Sequence, residues 1–412
     1  MSWRAVLADT TTGLLGEPIG IPSASWSVSI SDSSLSTTRD KGTGADDATG
    51  VHVPWSAIPA STQEGRERAL ASLRRSLLLA WDDGDETWPV VYGAIGSRTD
   101  TWEDTSFDLV SPMDLLAQRY LVREGRFGAD QAWTKRDVDG HETDVLNRGT
   151  TSDSIHWSGL SLRAIACRAV RLATQKPGGY LPIDLPYVDE RGGHERTYDG
   201  FDVRNLSVAS VLQKISNVAG GPDIQLRPYM ADQSHVRLLL EAGSDSEPYL
   251  RTSGLLPTLV ASSRGGNVRY LEVAYQGPVM RVYSTGSGQD KAQLCHLSED
   301  LSLCRQGVDP WPLVEESASF SDDDTQEVLA GHSDARLDAL RRPVMQARIG
   351  VELGAGFDFA RFWPGREFDL VLDGFPSLPD GTYRMRLMEM SGDLGTSVKL
   401  VADVTENPWY AR

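Results

Sequence analysis

Four groups of residues have types and spacings that could do chemistry. Asp82, Asp83, Asp85 and Glu86 surround Gly84 and offer the several oxygens that calcium takes from a tight loop. Their spacing is not that of a twelve-residue calcium loop, and Asp-Asp-Gly-Asp between two apolar runs is the chemistry of a hairpin turn. Asp322, Asp323 and Asp324 stand just before a helical pattern, where carboxylates cap amides and complement the dipole. Cys295, His296 and Cys304 lie close together, but zinc takes about four ligands at compact spacing and a fourth is not apparent. The seven histidines, His52, His141, His156, His194, His235, His296 and His332, include no pair at metal-ligand spacing on a helix and read as scattered surface residues. Cys167 falls inside an apolar helical pattern and reads as a buried free thiol.

The usual catalytic signatures are absent. The sequence holds no phosphate-binding Walker loop, no H-E-x-x-H and no G-x-S-x-G elbow. The Gly pairs 42/44, 286/288 and 354/356 lack the strand-before, helix-after context of a nucleotide fingerprint and are read as turns. A glycosidase needs two carboxylates facing across a groove, and nothing singles out a pair among 58 acidic residues. No residue is therefore assigned as catalytic, cofactor-binding or metal-ligating, no cofactor is expected, and the chain is read as a non-enzyme. Trp311, Trp409 and Tyr410 are candidate interface aromatics, or lids over a core.

A formal charge of −18 favours solubility and disfavours adhesion to nucleic acid or acidic lipid; there is no basic stripe of the kind a nucleic-acid reader carries. No run reaches the ~20 apolar residues of a membrane helix. Met1 to Thr12 lacks the basic start and apolar stretch of a signal peptide, so the chain is expected to be cytoplasmic when made.

The elements that would position these residues are mostly strands. With 412 residues, three regions are expected: residues 1–130, strand-rich with an embedded helix; 131–255, mixed α+β; and 256–412, strand-rich again. In the first, Trp3 to Ala8, the alternating Ser25 to Ser31, Leu77 to Trp81, Trp88 to Ile95 and Ser106 to Val110 read as strands. Glu64 to Arg75 reads as a helix with Leu70 and Leu73 on one side, Pro112 to Tyr120 as a short helix, and Asp32 to Gly50 as a surface loop. A boundary is expected within Gly128 to Asp153. In the second region Leu160 to Thr174 and Val208 to Val218 carry helical periodicity, the latter stopping at Gly220-Gly221-Pro222. Strands are expected at Ile224 to Pro228 and His235 to Glu241. In the third, Asp324 and Glu327 have capping-box spacing for a helix reaching Arg342, broken near Gly331. Four alternating strands then follow, at Ala347 to Leu353, Phe368 to Leu372, Tyr383 to Leu387 and Val398 to Val404, the pattern of an antiparallel meander, barrel or sandwich.

In this order the elements resemble the tail hub, or minor tail, proteins of long-tailed bacteriophages, most closely those of actinobacteriophages. The resemblance rests on Ser25 to Ser31 after Gly16-Glu17-Pro18, Leu78 to Ser97 containing Tyr92-Gly93, and Phe107 to Tyr120. It continues through Phe201 to Pro228 with Gly-Gly-Pro-Asp, and Arg342 to Val404 with Pro364-Gly365, Tyr383-Arg384-Met385 and Ser391-Gly392-Asp393. It leaves gaps at Asp32 to Gly50, Gly128 to Asp153 and Thr285 to Trp311. The resemblance implies a β-rich α+β fold with two tail-tube-like antiparallel β-barrel domains and an inserted α+β region. It implies a homotrimer in the virion tail tip that continues the tail tube with six barrels. The partners implied are the distal tail protein, the tail tube or tape measure protein, and spike or fibre proteins, with genomic DNA passing without specific binding. The resemblance implies no catalytic residue, and the lytic or receptor-binding module that some relatives append is not expected. Two other readings stay open: a six-fold distal tail ring protein, and a tail-associated cell-wall hydrolase or carbohydrate-binding module.

Overall fold

The computed structural model describes residues 1–36, 50–123, 134–136, 142–144, 154–218, 220–252, 254–305, 307, 309–321 and 323–405. The N-terminal region contributes β1 (Ser2–Asp9), β2 (Leu15–Pro18), β3 (Ser25–Ser29), β4 (Ser33–Ser36), β5 (Val51–Pro54), α1 (Gln63–Ala69), β6 (Arg75–Asp82), β7 (Thr87–Asp100), β8 (Asp104–Val110) and α2 (Pro112–Ala117). Six of these strands form one sheet in the order β2-β1-β6-β7-β8-β5. The run Leu77 to Trp81 does not alternate because β6 is buried on both faces. Leu77, Leu79 and Trp81 enter one core, while Leu78 and Ala80 enter another with Tyr92.

The first helix is shorter than its periodicity suggested. Leu73 takes a left-handed φ of 61° and Arg75 already begins β6. Leu70 is buried and Leu73 exposed, so the two leucines do not share a helix face. α2 has the expected Pro at its start and a capping box between Ser111 and Asp114.

The middle region contributes β9 (Thr134–Arg136), β10 (Glu142–Asp144), β11 (Ile155–Leu160), α3 (Leu162–Thr174), β12 (Ile183–Asp184), β13 (Arg191–Tyr198), α4 (Val208–Ser216), β14 (Ile224–Met230) and β15 (Val236–Ala242). Leu160 ends a strand and Ser161 caps the helix, accepting the Ala164 N–H at 3.1 Å. α3 presents Ile165, Cys167, Ala169 and Val170 to a core shared with α2, α4, β15 and the outer face of the N-terminal sheet.

The last region contributes β16 (Thr258–Ser262), β17 (Tyr270–Gln276), β18 (Arg281–Thr285), β19 (Cys295–Glu299), β20 (Glu315–Ser319), α5 (Gln326–Leu340), β21 (Val344–Glu352), β22 (Glu367–Asp373), β23 (Gly381–Asp393) and β24 (Ser397–Val404). The four alternating strands of the sequence are β21 to β24. α5 continues through Gly331, and its N-cap is Thr325, whose hydroxyl accepts the Val328 N–H at 3.3 Å. The expected Asp324/Glu327 box is thus replaced by the neighbouring hydroxyl.

Two strands depart from expectation. β3 leaves its own region and pairs with β23, from Ser29 opposite Glu389 to Ser25 opposite Asp393. β4 occupies the start of what read as a loop, its Leu35 buried opposite Trp26; residues 37–49 lie outside the described residues.

The two large sheets share a strand order. Numbered by appearance, β1, β2, β5, β6, β7 and β8 lie in the order 2-1-4-5-6-3. Numbered likewise, β16, β17, β21, β22, β23 and β24 lie in the order 1-4-5-6-3-2. Both are the same cycle opened at different seams. Among the described residues neither cycle is closed by a strand ladder, so the expected closed barrels are seen there as open sheets. Isolated hydrogen bonds cross each seam: Gly20 N–H to Ala57 O at 3.3 Å in the first, and Val268 N–H to Val260 O at 3.1 Å with Val260 N–H to Asn267 Oδ1 at 2.7 Å in the second. The cycles differ at strand 1, since β1 runs antiparallel to β6 but β16 runs parallel to β22.

Candidate functional site

Of the carboxylates singled out in the sequence, those of Asp82, Asp83 and Asp323 are engaged by their neighbourhoods, and Asp322 lies outside the described residues. Asp83 accepts the Glu86 and Asp85 amides at 2.8 and 2.9 Å and the Trp88 indole at 2.7 Å. These bonds, the Glu86 amide foremost, lower its pKa. Asp82 pairs with Arg4 at 2.5 Å. The turn thus spends these carboxylates on its own shape.

Asp323 and His332 depart from both of their sequence readings. Asp323 does not cap α5 and His332 is not at the surface. The carboxylate lies 2.6 Å from His332 Nδ1 with both side chains buried. The His332 ring leans on Phe320, centroids 5.3 Å apart, and its Nε2 has no hydrogen-bond partner among the described residues. Beside it Ser333 accepts from Ser284 at 2.8 Å and from Ser298 at 2.9 Å. A helix that begins between two residues nine apart folds the second back beside the first, a weak sequence signal. Among the described residues no hydroxyl or thiol is hydrogen-bonded to Nε2, as a nucleophile activated by this base would be. Its visible work is to seat α5 on the small sheet β19-β18-β20.

The cysteines do not converge. Cys295 is exposed, Cys304 half-buried and Cys167 buried. Burial pushes the Cys167 thiol up to about 11, away from the reactive thiolate. Among the described residues no three His, Cys, Asp or Glu are placed to hold a metal ion, and no helix is long and apolar enough to cross a membrane. Trp311 is half-buried, with its ring 3.8 Å from the position of a Cβ on Gly277. Trp409 and Tyr410 lie outside the described residues.

The most developed constellation is the joint between regions. One half is aromatic: Trp3, Trp26, Trp81 and Phe359 meet edge-on or tilted at centroid distances of 5.3 to 5.9 Å. Trp26 also donates its indole N–H to Asp393 O at 2.9 Å. The other half is ionic. From β14, Arg227 packs 4.7 Å above the Trp363 ring and lies 3.6 Å from Glu241 of β15. Arg366 approaches the same Glu241 oxygen at 3.4 Å. Arg386 of β23 bonds to Asp223 and stacks 4.5 Å over Tyr249. Desolvation lowers the Arg227 pKa. Guanidinium groups suit such positions because they stack and bond at once. Sequence reading missed this set because its members lie up to 163 residues apart in unremarkable strand patterns. The geometry fixes the middle region and the N-terminal hairpin against the last sheet.

No family model and no curated protein matches the sequence. Solved structures similar to the chain include phage tail and baseplate proteins and a type VI secretion system component. A tail protein from Neisseria meningitidis MC58 is 12% identical, with 98% of this chain and 97% of that one covered and a TM-score of 0.46. The 43 kDa tail protein of prophage MuSo2 from Shewanella oneidensis is 9% identical, with 97% and 98% covered and a TM-score of 0.48. A component of the Escherichia coli type VI secretion system is 10% identical, with 96% and 76% covered and a TM-score of 0.43.

Proposed function

We propose that this chain is a structural virion protein, the central hub of a phage tail tip. In this reading three copies form a ring that continues the tail tube. The ring joins the distal tail and tape measure proteins above to spike or fibre proteins below. The observation that carries it is the shared cyclic order of the two six-strand sheets. Two like sheets per chain let three copies present six similar units, whereas a six-fold ring protein needs one. The residues 1–130, 131–255 and 256–412 remain the proposed domains, with β3 and β4 as an arm from the first to the third. Rigid coupling suits a load-carrying part, and the aromatic and arginine joint supplies it. The net charge of −18 suits a conduit for DNA, because carboxylates repel a phosphate backbone and limit sticking.

The alternative readings have no specific observation in their favour. Incubation of the purified chain with bacterial cell wall separates the hub from a hydrolase. The hub reading expects no release of sugar or peptide; release abolished by a single carboxylate change would replace it. Labelled antibody against the chain should decorate the tail tip of intact particles and leave the head and tube bare.

A further inference from the structure

Residues 277–343 are inserted between β17 and β21 and hold β18, β19, β20 and α5. The large core stops on β17 at Val273 and resumes on β21 at Met345, and among the described residues none between them belongs to it. The insertion has a core of its own, Val279, Val282 and Leu337 with Ala318 and Leu340 packed against them. Around it lie buried polar groups, the Ser284–Ser333–Ser298 hydroxyls and the Asp323–His332 pair. β18 pairs along its whole length with both β19 and β20, which makes the unit stiff. Among the described residues, every hydrogen bond and ion pair of β18, β19, β20 and α5 has its partner inside the insertion. Trp311, beside Gly277, and Pro343 make further interactions, and both stand at its foot. The middle region and the arm, by contrast, are tied to the last region through Arg386, Arg227 and Trp26.

At the foot the ladder is broken on both chain crossings. β17 and β21 pair as far as Gln276 opposite Val344. The next rung is the Val279 N–H to Leu340 O bond at 2.9 Å. Between these rungs stand Gly277-Pro278 on one crossing and Pro343 on the other. Proline has no N–H to give a ladder, and glycine is the residue with the widest backbone freedom. Arg341 and Arg342 stay with the insertion, reaching Asp300 at 3.3 and 3.7 Å. The compliant residues at the foot are therefore Gly277, Pro278 and Pro343.

We propose that residues 279–342 form a rigid module that swings as one body on a hinge made of Gly277, Pro278 and Pro343. Such hinges are a few element-terminal residues that absorb a backbone change while the packed units on either side keep their shape, on microsecond to millisecond timescales. The motion re-aims the exposed face that carries Tyr283 and Leu297 and leaves the six-strand sheet undisturbed. The hinge belongs to the single chain and does not depend on how many copies share a ring.

The test measures spin-label distances by pulsed electron resonance in the full chain. Cys295 is exposed on β19 and Cys167 is buried, so with Cys304→Ser the first label goes to Cys295. A second label at Lys399→Cys, an exposed position of β24, makes a pair that spans the hinge. A second label at Ala339→Cys, exposed on α5, makes a pair within the module. The distance distribution across the hinge should be about threefold or more wider than the one within the module. Replacing both prolines, Pro278→Val with Pro343→Val, restores the missing amides and should narrow it. Equal widths, or a width unmoved by the proline pair, would overturn the hinge, and a broad distribution within the module would overturn the rigid body. Hydrogen exchange in mild urea checks the unlabelled chain. Amides of β18, β19, β20 and α5 should lose protection together, at lower urea than those of β21 to β24; one transition shared by both sets would overturn the independent module.

Discussion

Arg386 bonds to Asp223 where both side chains are mostly buried, and its Nε has no partner among the described residues. Deleting one member of such a pair strands the other charge in a poor solvent. Arg386→Ala should therefore cost about 3–5 kcal/mol, read as a shifted urea midpoint, with the joint between middle region and last sheet loosening first in hydrogen exchange. Asp403 offers a prediction of opposite sign. Burial raises its pKa, partly offset by the Gln346 side chain, which donates to it at 3.1 Å. A carboxyl whose folded pKa lies above its unfolded value is harder to ionise when folded. It therefore lowers stability above the folded pKa, and the deficit shrinks as pH falls through that value. Asp403→Asn should raise the melting temperature at pH 7 and lose that advantage near pH 4. Asp184 works the other way, its pKa lowered chiefly by Arg237. Its contribution is present above the ordinary carboxylate range and lost as pH falls through the depressed value. Urea midpoints between pH 7 and pH 3 should show Asp184→Asn flattening the acid limb.

At the scale of elements the arm β3–β4 is the decisive feature. Trp26 is almost fully buried among Trp3, Phe359 and the Gly392 backbone. Trp26→Ala should cost about 3–5 kcal/mol and raise hydrogen exchange along Ser25–Ser29 and Glu389–Asp393 together. A Cβ on Gly392 would lie 3.0 Å from the Trp26 ring and 2.9 Å from Ser397 O, so the close crossing itself selects glycine. Strand identity was legible where one face is wet: β22 alternates cleanly because Phe368, Leu370 and Leu372 point inward and Asp369 and Asp373 outward. α3 and α4 were legible for the same reason at helical period. The destination of β3 was not, because alternation reports a buried face without saying which sheet buries it. Asp323 and the arginine joint were hidden likewise: burial of a charge is decided by residues distant in sequence, whereas local pattern favours a cap or a solvated face.

For the whole molecule, the repeated 1-4-5-6-3-2 cycle was only half visible. Two strand-rich regions flanking a mixed one could be read from periodicity, but not that their strands follow one order, since pairing is set by tertiary contacts. The single reversed strand, β16 against β1, shows that cyclic order can persist while a terminal strand changes direction. The central claim is that two like sheets per chain build a ring from three copies. The most direct measurement is the rotational symmetry of this protein's density in an intact particle by cryo-electron microscopy of the tail tip. Three copies around the axis are expected, each placing both six-strand sheets around one channel. Six copies, or density with only one of the two sheets facing the channel, would contradict it.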